Sequence, residues 1–496
     1  MPEKHLLSKS SFIKGLQCDK QLYLYKYHYD RMDEVSEGQQ LIFDRGHEVG
    51  ELARQLFPGG ILAADDPKQS ALAVNRTAEL ITGGNEVIYE AAFIFDEVLV
   101  IADILVKDGA KWKIFEVKSS TKISDTYLSD AAIQFYVISN CIKVSDISIV
   151  YINNEYVRKG PINVRKLFTI KSVLKESLDQ QVHIIKELKR LKKVLSQVEI
   201  PVIKIGPHCT DPYACSFMGY CWKDVPEYSV FNIGGLRGYK KFDLYEHGHI
   251  KLEDVPEDYP LSAAQKMQID SHKGNKTLIN YEEIEKFLAT IKYPIWFMDF
   301  ETFMPAVPKF DGTRPYQQIP FQYSVHYQKS RKSRIEHYEF LADATGDPRL
   351  PFIENLIEQT KGEGVILVYN QAFEITRLKE LAWDFHLYEQ DLNKIKNRIA
   401  DLMEPFRKKY YYTPDMQGSY SIKSVLPALV PALSYKEMEI GDGSAASSAF
   451  ENLYYETDPA KIKSVRENLL RYCSLDTLAM VEVFKFLSSL TIEEEE

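Results

Sequence analysis

The chain has 496 residues and a formal net charge of −10, with 45% hydrophobic and 27% charged residues. This length exceeds one ordinary hydrophobic core, so we expect two large domains and a connector, and the balanced composition excludes wholesale disorder. The acidic charge excludes a histone-like polyelectrolyte, so any contact with nucleic acid must come from local basic grooves and bound cations.

The N-terminal sequence, MPEKHLLSKS, lacks the apolar core of a signal peptide. No stretch of about 18 apolar residues occurs along the chain, which argues against a membrane-spanning helix. These features predict a cytoplasmic protein that has no membrane partner.

Residues 1–225 predict a mixed α/β domain. Three β-rich runs occur in AAFIFDEVLVIADILVKDGAKWKIFEVKSS, and the last two are joined by a turn at Asp108-Gly109. A further strand is expected at 147–152. Helical patterns surround this sheet at 37–57, 127–141 and 163–198.

Charged residues occupy facing positions of the predicted hairpin. Asp103 lies in one strand, and Glu116 and Lys118 lie two residues apart in the next, so their side chains share one face. Two carboxylates there can hold Mg²⁺ or Mn²⁺, and a lysine beside them can position an attacking water and offset phosphate charge. An isolated Glu-x-Lys, in contrast, indicates only a cross-strand salt bridge.

This pattern resembles the PD-(D/E)xK nucleases of the RecB type, in the iron-sulfur branch that includes the CRISPR-adaptation exonucleases and the AddB-type helicase-nuclease subunit. The resemblance implies a restriction-endonuclease-like fold with Asp103 and Glu116 as metal ligands and Lys118 as a catalytic residue. It also implies that His47, in RGHEVG, is an additional ligand. Where the family has Gln-x-x-x-Tyr, this chain has Gln134-Phe135-Tyr136, so Gln134 alone is carried over as a catalytic residue.

Three of the six cysteines, Cys209, Cys215 and Cys221, lie within thirteen residues. In a reducing compartment this spacing indicates metal ligation rather than disulfides. The same iron-sulfur branch has one cysteine before its catalytic motifs, as Cys18 is here, and three after them. The resemblance therefore implies a structural [4Fe-4S] cluster held by these four thiolates, although four cysteines also satisfy Zn²⁺. We expect Cys141 and Cys473 to be buried thiols.

The remainder of the chain predicts a small helical connector at 226–292 and a second α/β domain at 293–490. The connector contains helical fragments at 262–271 and 281–290. The second domain opens with a strand at 295–303 and continues with strands at 320–328 and 364–370. Its helical patterns cover 373–386, 394–406 and 462–489.

Three acidic motifs follow one another in the second domain. Asp299 and Glu301 alternate on the apolar strand IWFMDFETF, where burying acids is costly unless a cation neutralises them. A later strand leads into VYNQAFE, which contains Glu374. The final helix carries RYCSLD, in which Tyr472 and Asp476 are one helical turn apart.

These motifs resemble the DnaQ-like, or DEDD, 3'-to-5' exonucleases of ribonuclease H-like fold, in the subclass whose third motif is Tyr-x-x-x-Asp. The resemblance implies that Asp299, Glu301 and Asp476 hold two metal ions and that Tyr472 orients the attacking water. The second motif departs from the family, because Glu374 stands where the family has Asp. Asp401 is a weaker substitute for that position.

Taken together, these patterns predict a metal-dependent nuclease with two sites that use Mg²⁺ or Mn²⁺. We expect a bacterial-type exonuclease of DNA repair or antiviral defence that acts on single-stranded DNA. Three alternatives remain open: an RNA exonuclease, a single-site nuclease with one degenerate domain, and a nucleic-acid-binding platform that cleaves nothing.

Overall fold

A computed structural model describes residues 6–63, 70–433, 435 and 438–491. The chain divides into two compact units, Met1–Asp224 with Pro305–Tyr316, and Val225–Met304 with Gln317–Glu496. Residues of the predicted connector therefore belong to the second unit. Each unit contains a mixed sheet flanked by helices, so the predicted α/β class is confirmed.

In its described residues, the first unit contains helices and strands that are interspersed along the chain. Its strands are β1 (Leu7–Ser8), β2 (Ile61–Leu62), β3 (Val87–Phe95), β4 (Val98–Asp108), β5 (Lys111–Lys118), β6 (Val144–Ile152) and β7 (Phe168–Ser172). Its helices are α1 (Lys9–Gln17), α2 (Asp19–Tyr27), α3 (Glu37–Ala53), α4 (Ser70–Thr82), α5 (Asp125–Cys141), α6 (Val164–Leu167), α7 (Leu174–Asp179), α8 (Gln181–Leu195) and α9 (Met218–Cys221).

The sheet of the first unit has the order β2-β3-β4-β5-β6-β7, with β1 paired to β4. Neighbours β3, β4 and β5 are antiparallel, whereas β6 runs parallel to β5. The predicted turn between β4 and β5 is present, and Gly109 adopts a φ of 62° that favours glycine. The sheet therefore combines an antiparallel meander, β3-β4-β5, with β6 as a parallel neighbour of β5.

Helices cover both faces of this sheet. On one face, α1, α5 and α8 contribute Phe12, Ile133 and Leu188 to a core with Ile114. On the other face, Val49 of α3 packs with Phe115 and Ile104. Because strand side chains alternate between faces, Glu116 lies on the same face as Ile114, toward α1 and α5.

One expectation about the secondary structure of this unit is wrong. The helical pattern at 163–198 is interrupted, since β7 lies between α6 and α7 and pairs antiparallel with β6. Phe168, Thr169 and Ile170 favour a strand locally, and the edge of the sheet supplies the hydrogen-bonding partner that a sequence pattern does not reveal.

The second unit contains a five-stranded sheet and a two-stranded ribbon. Its strands are β8 (Leu278–Ile279), β9 (Ile295–Phe303), β10 (Ile319–Gln328), β11 (Ile335–Leu341), β12 (Val365–Val368), β13 (Ile399–Asp401) and β14 (Tyr411–Tyr412). Its helices are α10 (Gly238–Glu246), α11 (Ala263–Gly274), α12 (Tyr281–Ala289), α13 (Arg349–Gln359), α14 (Gln371–Asp384), α15 (Glu389–Lys396), α16 (Glu404–Arg407), α17 (Ile422–Leu429), α18 (Gly443–Leu453) and α19 (Pro459–Ser489).

The larger sheet has the order β11-β10-β9-β12-β13. The strands β9, β10 and β11 are antiparallel neighbours, and β12 and β13 run parallel to β9. The smaller ribbon pairs β8 with β14. β9 occupies the central position of this sheet, and most of its side chains are buried.

The side chains of β9 alternate between two helical layers. Trp296, Met298 and Phe300 pack in a core with side chains of α13, α14 and α15. Phe297 contacts Phe484 of α19 on the opposite face. Asp299 and Glu301 share the parity of Phe297, so the alternation directs both carboxylates toward α19.

The predicted helix at 394–406 is also wrong. Helix α15 ends at Lys396, β13 follows as a three-residue strand parallel to β12, and α16 begins at Glu404. Three residues are too few to display an alternation, so only the pairing with β12 determines this strand. None of the helices in the described part of the chain is long and apolar enough to cross a membrane.

Candidate functional site

The register of β4 and β5 places Asp103 beside Glu116. Ile104 pairs with Phe115 in an antiparallel ladder, so the next position along each strand brings the two acids together. The backbone N–H of Val117 donates to Asp103 Oδ2 at 2.6 Å, which holds that carboxylate against β5.

Glu116 is the centre of the first candidate site, and its side chain is only 1% exposed. Lys118 Nζ donates to Glu116 Oε1 at 2.7 Å, and Lys9 Nζ donates to the same oxygen at 2.6 Å. Gln134 Nε2 donates to Glu116 Oε2 at 2.6 Å. Three of the predicted residues, Glu116, Lys118 and Gln134, are therefore in direct contact.

Electrostatics at the two acids run in opposite directions. Burial acts to raise the pKa of Glu116, but the ammonium groups of Lys118 and Lys9 outweigh it and hold that pKa below its ordinary value. The pKa of Asp103 is raised, first by burial and then by the charge of Glu116. The surroundings of Glu116 therefore stabilise its charged form, whereas those of Asp103 favour the neutral carboxylic acid.

Sequence reasoning missed three charged residues here. Asp130, on the same face of α5 as Gln134, accepts a hydrogen bond from Lys118. Lys9 on α1 lies 3.9 Å from Asp130 as well as bonding to Glu116. Glu90, which adopts a φ of 53° in β3, has its pKa raised by burial and then by Glu116, while Arg54 acts to lower it.

Of these three residues, Glu90 could have been found from the sequence, because it is an acid inside the apolar strand VIYEAAFIF. The same feature identified Asp299. Lys9 offered no local signal, because only the fold brings α1 to β5.

His47 lies on α3 and is exposed. Among the described residues, the ligand atoms of His47, Asp103 and Glu116 do not all lie within 4.8 Å of one another. Its role as a ligand stays a prediction. Tyr136 is directed elsewhere, since its hydroxyl donates to Asp96 Oδ2 at 3.4 Å.

The four predicted cluster ligands line one cavity of the first unit. Cys18 lies between α1 and α2, Cys209 ends a short 3-10 helix, and Cys215 and Cys221 follow, with Cys221 closing α9. The backbone N–H of Cys215 donates to the carbonyl of Cys209 at 2.8 Å, which tightens this loop. The fold thus joins the two ends of the unit at these thiols.

Two properties of the thiols bear on the metal that they could hold: their pKa values and the distances between their sulfur atoms. Burial, together with the neighbouring thiols, raises the pKa of Cys215 to about 11. Burial also raises the pKa of Cys18 and of Cys221, although Lys20 acts to lower the latter. In the described residues, no three of the four sulfur atoms lie within 4.8 Å of one another. A single tetrahedral Zn²⁺ would hold its sulfurs about 3.8 Å apart, given a Zn–S bond of about 2.3 Å.

The expectation that Cys141 is buried is wrong. Cys141 is the last residue of α5 and is exposed, because the helix ends there at the surface. Cys473 is fully buried, as expected.

In the second unit, Tyr369, Asn370 and Phe373, in the turn after β12 and the start of α14, form one wall of an open pocket. Asn370 adopts a left-handed conformation with a φ of 78° and begins α14, so Glu374 projects from the first turn of that helix. Asp401 Oδ1 accepts the backbone N–H groups of Asn370 at 3.0 Å and Met403 at 3.1 Å. Asp401 therefore fixes this turn, and Glu374 is the acid that the turn presents.

Helix α19 supplies the opposite wall. Tyr472 and Asp476 line the pocket together with Asp299 and Glu301. The hydroxyl of Tyr435 donates to Asp476 Oδ1 at 2.7 Å. The structure therefore brings the first and third predicted motifs to one pocket.

The carboxylates of this pocket oppose one another's charge. Burial, followed by the charge of Asp476, raises the pKa of Asp299. Burial and the charge of Asp299 likewise raise the pKa of both Glu301 and Glu374. Burial raises the pKa of Asp476 to about 6, although hydrogen bonds from tyrosines and the charge of Lys423 act to lower it.

Two observations indicate that this set of side chains can accept a cation. Glu374 is 1% exposed, and its Oε2 has no hydrogen-bond partner among the described residues. Ligand atoms of Asp299, Glu301 and Cys473 lie within 4.8 Å of one another. A cation bound to these oxygens would relieve the repulsion that raises each pKa. Sequence reasoning missed Cys473 and Lys423 as residues around this pocket.

Comparison with known proteins adds two matches. A family model described as "Domain of unknown function (DUF2779)" matches residues 296–421. That segment contains Asp299, Glu301 and Glu374 but ends before Tyr472 and Asp476.

The protein called "Uncharacterized protein UU173", from Ureaplasma parvum serovar 3, is 26% identical to this chain over 300 residues. The match covers 56% of this chain and 42% of that relative. The chain thus spans about two-fifths of the relative's length, and neither description assigns an activity.

Proposed function

We propose that this protein is a metal-dependent nuclease that hydrolyses phosphodiester bonds, with an exonuclease site in the second unit and a second nuclease site in the first. Single-stranded DNA is the substrate that we favour. We also propose that it works in the cytoplasm, where reducing conditions keep its cysteines out of disulfide bonds.

The observation that carries the proposal is the set of buried, mutually repelling carboxylates in the second unit. Asp299, Glu301 and Glu374 each have a raised pKa, and an apolar core packs against the opposite face of the strand that carries Asp299 and Glu301. Keeping such a set without a compensating cation destabilises the fold. Selection for divalent cation binding explains why the acids are there.

The proposed chemistry divides among these residues. Asp299, Glu301, Glu374 and Asp476 would hold Mg²⁺ or Mn²⁺, which polarises the phosphoryl oxygens and lowers the pKa of a bound water. Tyr472 lies beside Asp476 and would orient the attacking water through its hydroxyl. Tyr435 holds Asp476 in one orientation through its hydrogen bond.

The strand order supports the choice of this class. Three antiparallel strands followed by two parallel ones, with the Asp-x-Glu strand at the centre, is the arrangement expected of a ribonuclease H-like fold. A fold alone does not establish activity, so the proposal depends on the acids. The meander and parallel strand of the first unit likewise agree with the proposed restriction-endonuclease-like domain.

In the first unit, Asp103 and Glu116 would bind the cation, with His47 as a further ligand. Lys118 would offset phosphate charge, and Gln134 orients Glu116. The contact from Lys9 to Glu116 favours a second candidate, a protein in which only the second unit cleaves. Two ammonium groups already neutralise Glu116, so a cation must displace one of them to bind.

We further propose that Cys18, Cys209, Cys215 and Cys221 hold a [4Fe-4S] cluster. No three of these sulfurs in the described residues lie within 4.8 Å of one another, and this favours a polynuclear cluster over a single Zn²⁺, which would hold its sulfurs about 3.8 Å apart. Such a cluster would join the start and end of the first unit and contribute to its stability.

The test compares cleavage of end-labelled single-stranded DNA in Mn²⁺ by anaerobically purified wild type, Lys118→Ala, Asp299→Ala and the double variant. Exposed residues provide matched controls, Lys122→Ala in the first unit and Asp270→Ala in the second. We expect each single active-site variant to retain one product ladder, the double variant to be inert, and both controls to match wild type. RNA of the same sequence is run in parallel.

Three outcomes would change the proposal. If Asp299→Ala alone abolishes all cleavage, the single-site alternative holds. Faster cleavage of the RNA strand would make the protein an RNA exonuclease. Binding of DNA without cleavage under Mn²⁺ or Mg²⁺ would make it a binding platform and overturn the nuclease assignment.

A further inference from the structure

A lysine that belongs to none of the predicted motifs lies in the pocket of the second unit. Lys423, in the first turn of α17, lines the pocket together with Asp299, Glu301 and Asp476. Its Nζ lies 5.3 Å from the ring centre of Tyr472 and 5.5 Å from that of Tyr435. Nζ also donates to the carbonyl oxygen of Gly441 at 2.8 Å.

These contacts hold the ammonium near the acids without pairing it to any of them. Among the described residues, no carboxylate oxygen lies within 4.0 Å of Lys423 Nζ, unlike Lys118 in the first unit. Its charge nevertheless acts to lower the pKa of Asp299, Glu301 and Asp476. The ammonium is therefore close to the carboxylates but keeps donor capacity for another group.

The remaining donors suit an anion. A lysine ammonium has three N–H groups, of which the Gly441 carbonyl accepts one. The two tyrosine rings stabilise the cation and restrict where it points. Lysine binds phosphate as a compact point charge, and a pocket of carboxylates requires such a charge to accept a polyanion.

Resting on the proposed function, we propose that Lys423 is a phosphate-binding residue that contacts a nonbridging oxygen of the nucleic acid backbone at the second site. The contact would draw the 3' end of the strand into a pocket whose acids repel it. The substrate class is thereby a phosphodiester chain, recognised through its charge rather than its bases.

The simpler explanation is that Lys423 only offsets the carboxylates. The two roles differ in their dependence on the substrate. A lysine that only offsets protein charge acts through space on every phosphate near the pocket, so part of its effect persists when two linkages are neutral. A phosphate contact, in contrast, disappears when the contacted linkage is neutral.

The experiment measures Kd for a fluorescent single-stranded oligonucleotide with Ca²⁺ as the cation, with a gel to check that the strand stays intact. Wild type, Lys423→Met and Lys423→Arg are compared, and Lys379→Met, on the exposed side of α14, is the matched control. A second oligonucleotide carries neutral methylphosphonates at its two 3'-terminal linkages. Circular dichroism and Tm show whether each variant is folded.

We expect Lys423→Met to weaken binding of the charged strand by about ten- to hundredfold, as for loss of one charge-assisted hydrogen bond. The slope of log affinity against log salt should fall by about 0.7. Lys423→Arg should retain most of the affinity, and Lys379→Met should match wild type. The neutral strand should bind wild type and Lys423→Met equally.

An equal loss for charged and neutral strands would overturn the phosphate contact and leave charge compensation as the role. If Lys423→Met binds the charged strand as tightly as Lys379→Met does, the phosphate contact is overturned as well. Cleavage of DNA by wild type would then still support the nuclease proposal. Conversely, a loss confined to the charged strand supports the contact even if no cleavage is detected. Wild type that binds neither strand would overturn it.

Discussion

Replacing Asp476 with Asn should stabilise the metal-free protein at neutral pH. Asp476 is 8% exposed, and burial raises its pKa to about 6 from an ordinary value of 3.8. The folded state therefore favours the neutral carboxylic acid and opposes the charged form. The asparagine side chain would keep an oxygen that accepts the hydrogen bond from Tyr435 but would carry no charge.

The magnitude follows from linkage. A pKa shift from 3.8 to about 6, at about 1.4 kcal/mol per unit, corresponds to about 3 kcal/mol of destabilisation when Asp476 is charged. Because the folded pKa is raised, the favourable contribution of the neutral acid is complete below pH 3.8 and is lost as the pH rises through about 6. The gain in free energy of unfolding from Asp476→Asn is therefore largest at neutral pH and becomes smaller as the pH falls below about 6.

The assay is urea unfolding of wild type and Asp476→Asn in EDTA at pH 7.5 and pH 5, followed by a probe in the second unit. Lowering the pH should bring the two midpoints closer together. Saturating Mn²⁺ at pH 7.5 should reverse the order, because the cation stabilises only a state that binds it and Asn is a weaker ligand. Asp270→Asn, at an exposed position of α11, should follow wild type throughout.

If metal-free Asp476→Asn is less stable than wild type at pH 7.5, or if the difference does not depend on pH, then the carboxylate is compensated within the fold. A cation site at this pocket would then lose its main support.

Three further predictions concern the other groups. Glu116→Gln should lower the free energy of unfolding of the metal-free protein by about 3–5 kcal/mol in urea, because Lys9 and Lys118 lose their charge partner. An unchanged midpoint would contradict the neutralisation of Glu116 by these two lysines. Cys215→Ser should lose iron and acid-labile sulfide after anaerobic reconstitution while Cys141→Ser keeps both, and equal contents in the two would refute the cluster assignment. Glu374→Gln should weaken Mn²⁺ binding by more than about tenfold in titration calorimetry, and unchanged affinity would exclude Glu374 as a ligand.

The contrast between Glu116 and Asp476 shows why buried acids must be judged by their surroundings. Both are buried, yet two lysines hold the pKa of Glu116 below its ordinary value, and burial raises that of Asp476. Opposite effects on stability are therefore expected from the same chemical change, an acid replaced by its amide.

The sequence by itself determined the features that depend on short-range periodicity and composition. The strand at 295–303 forms with the predicted bounds, and the predicted hairpin places Asp103 beside Glu116, since alternation fixes which side chains share a face. The α/β class followed from the same patterns. The long final helix was equally visible, because its apolar face repeats over many turns.

Only the tertiary structure decided which distant residues meet. Lys9 reaches Glu116 because α1 packs against the sheet, and Lys423 reaches the acids of β9 because two tyrosines hold it at the pocket. The short strands β7 and β13 form because a neighbouring strand offers hydrogen bonds, which no local pattern encodes. Contacts between residues far apart in the sequence depend on the packing and strand pairing of the whole fold. The periodicity of the sequence therefore could not predict these parts of the sites.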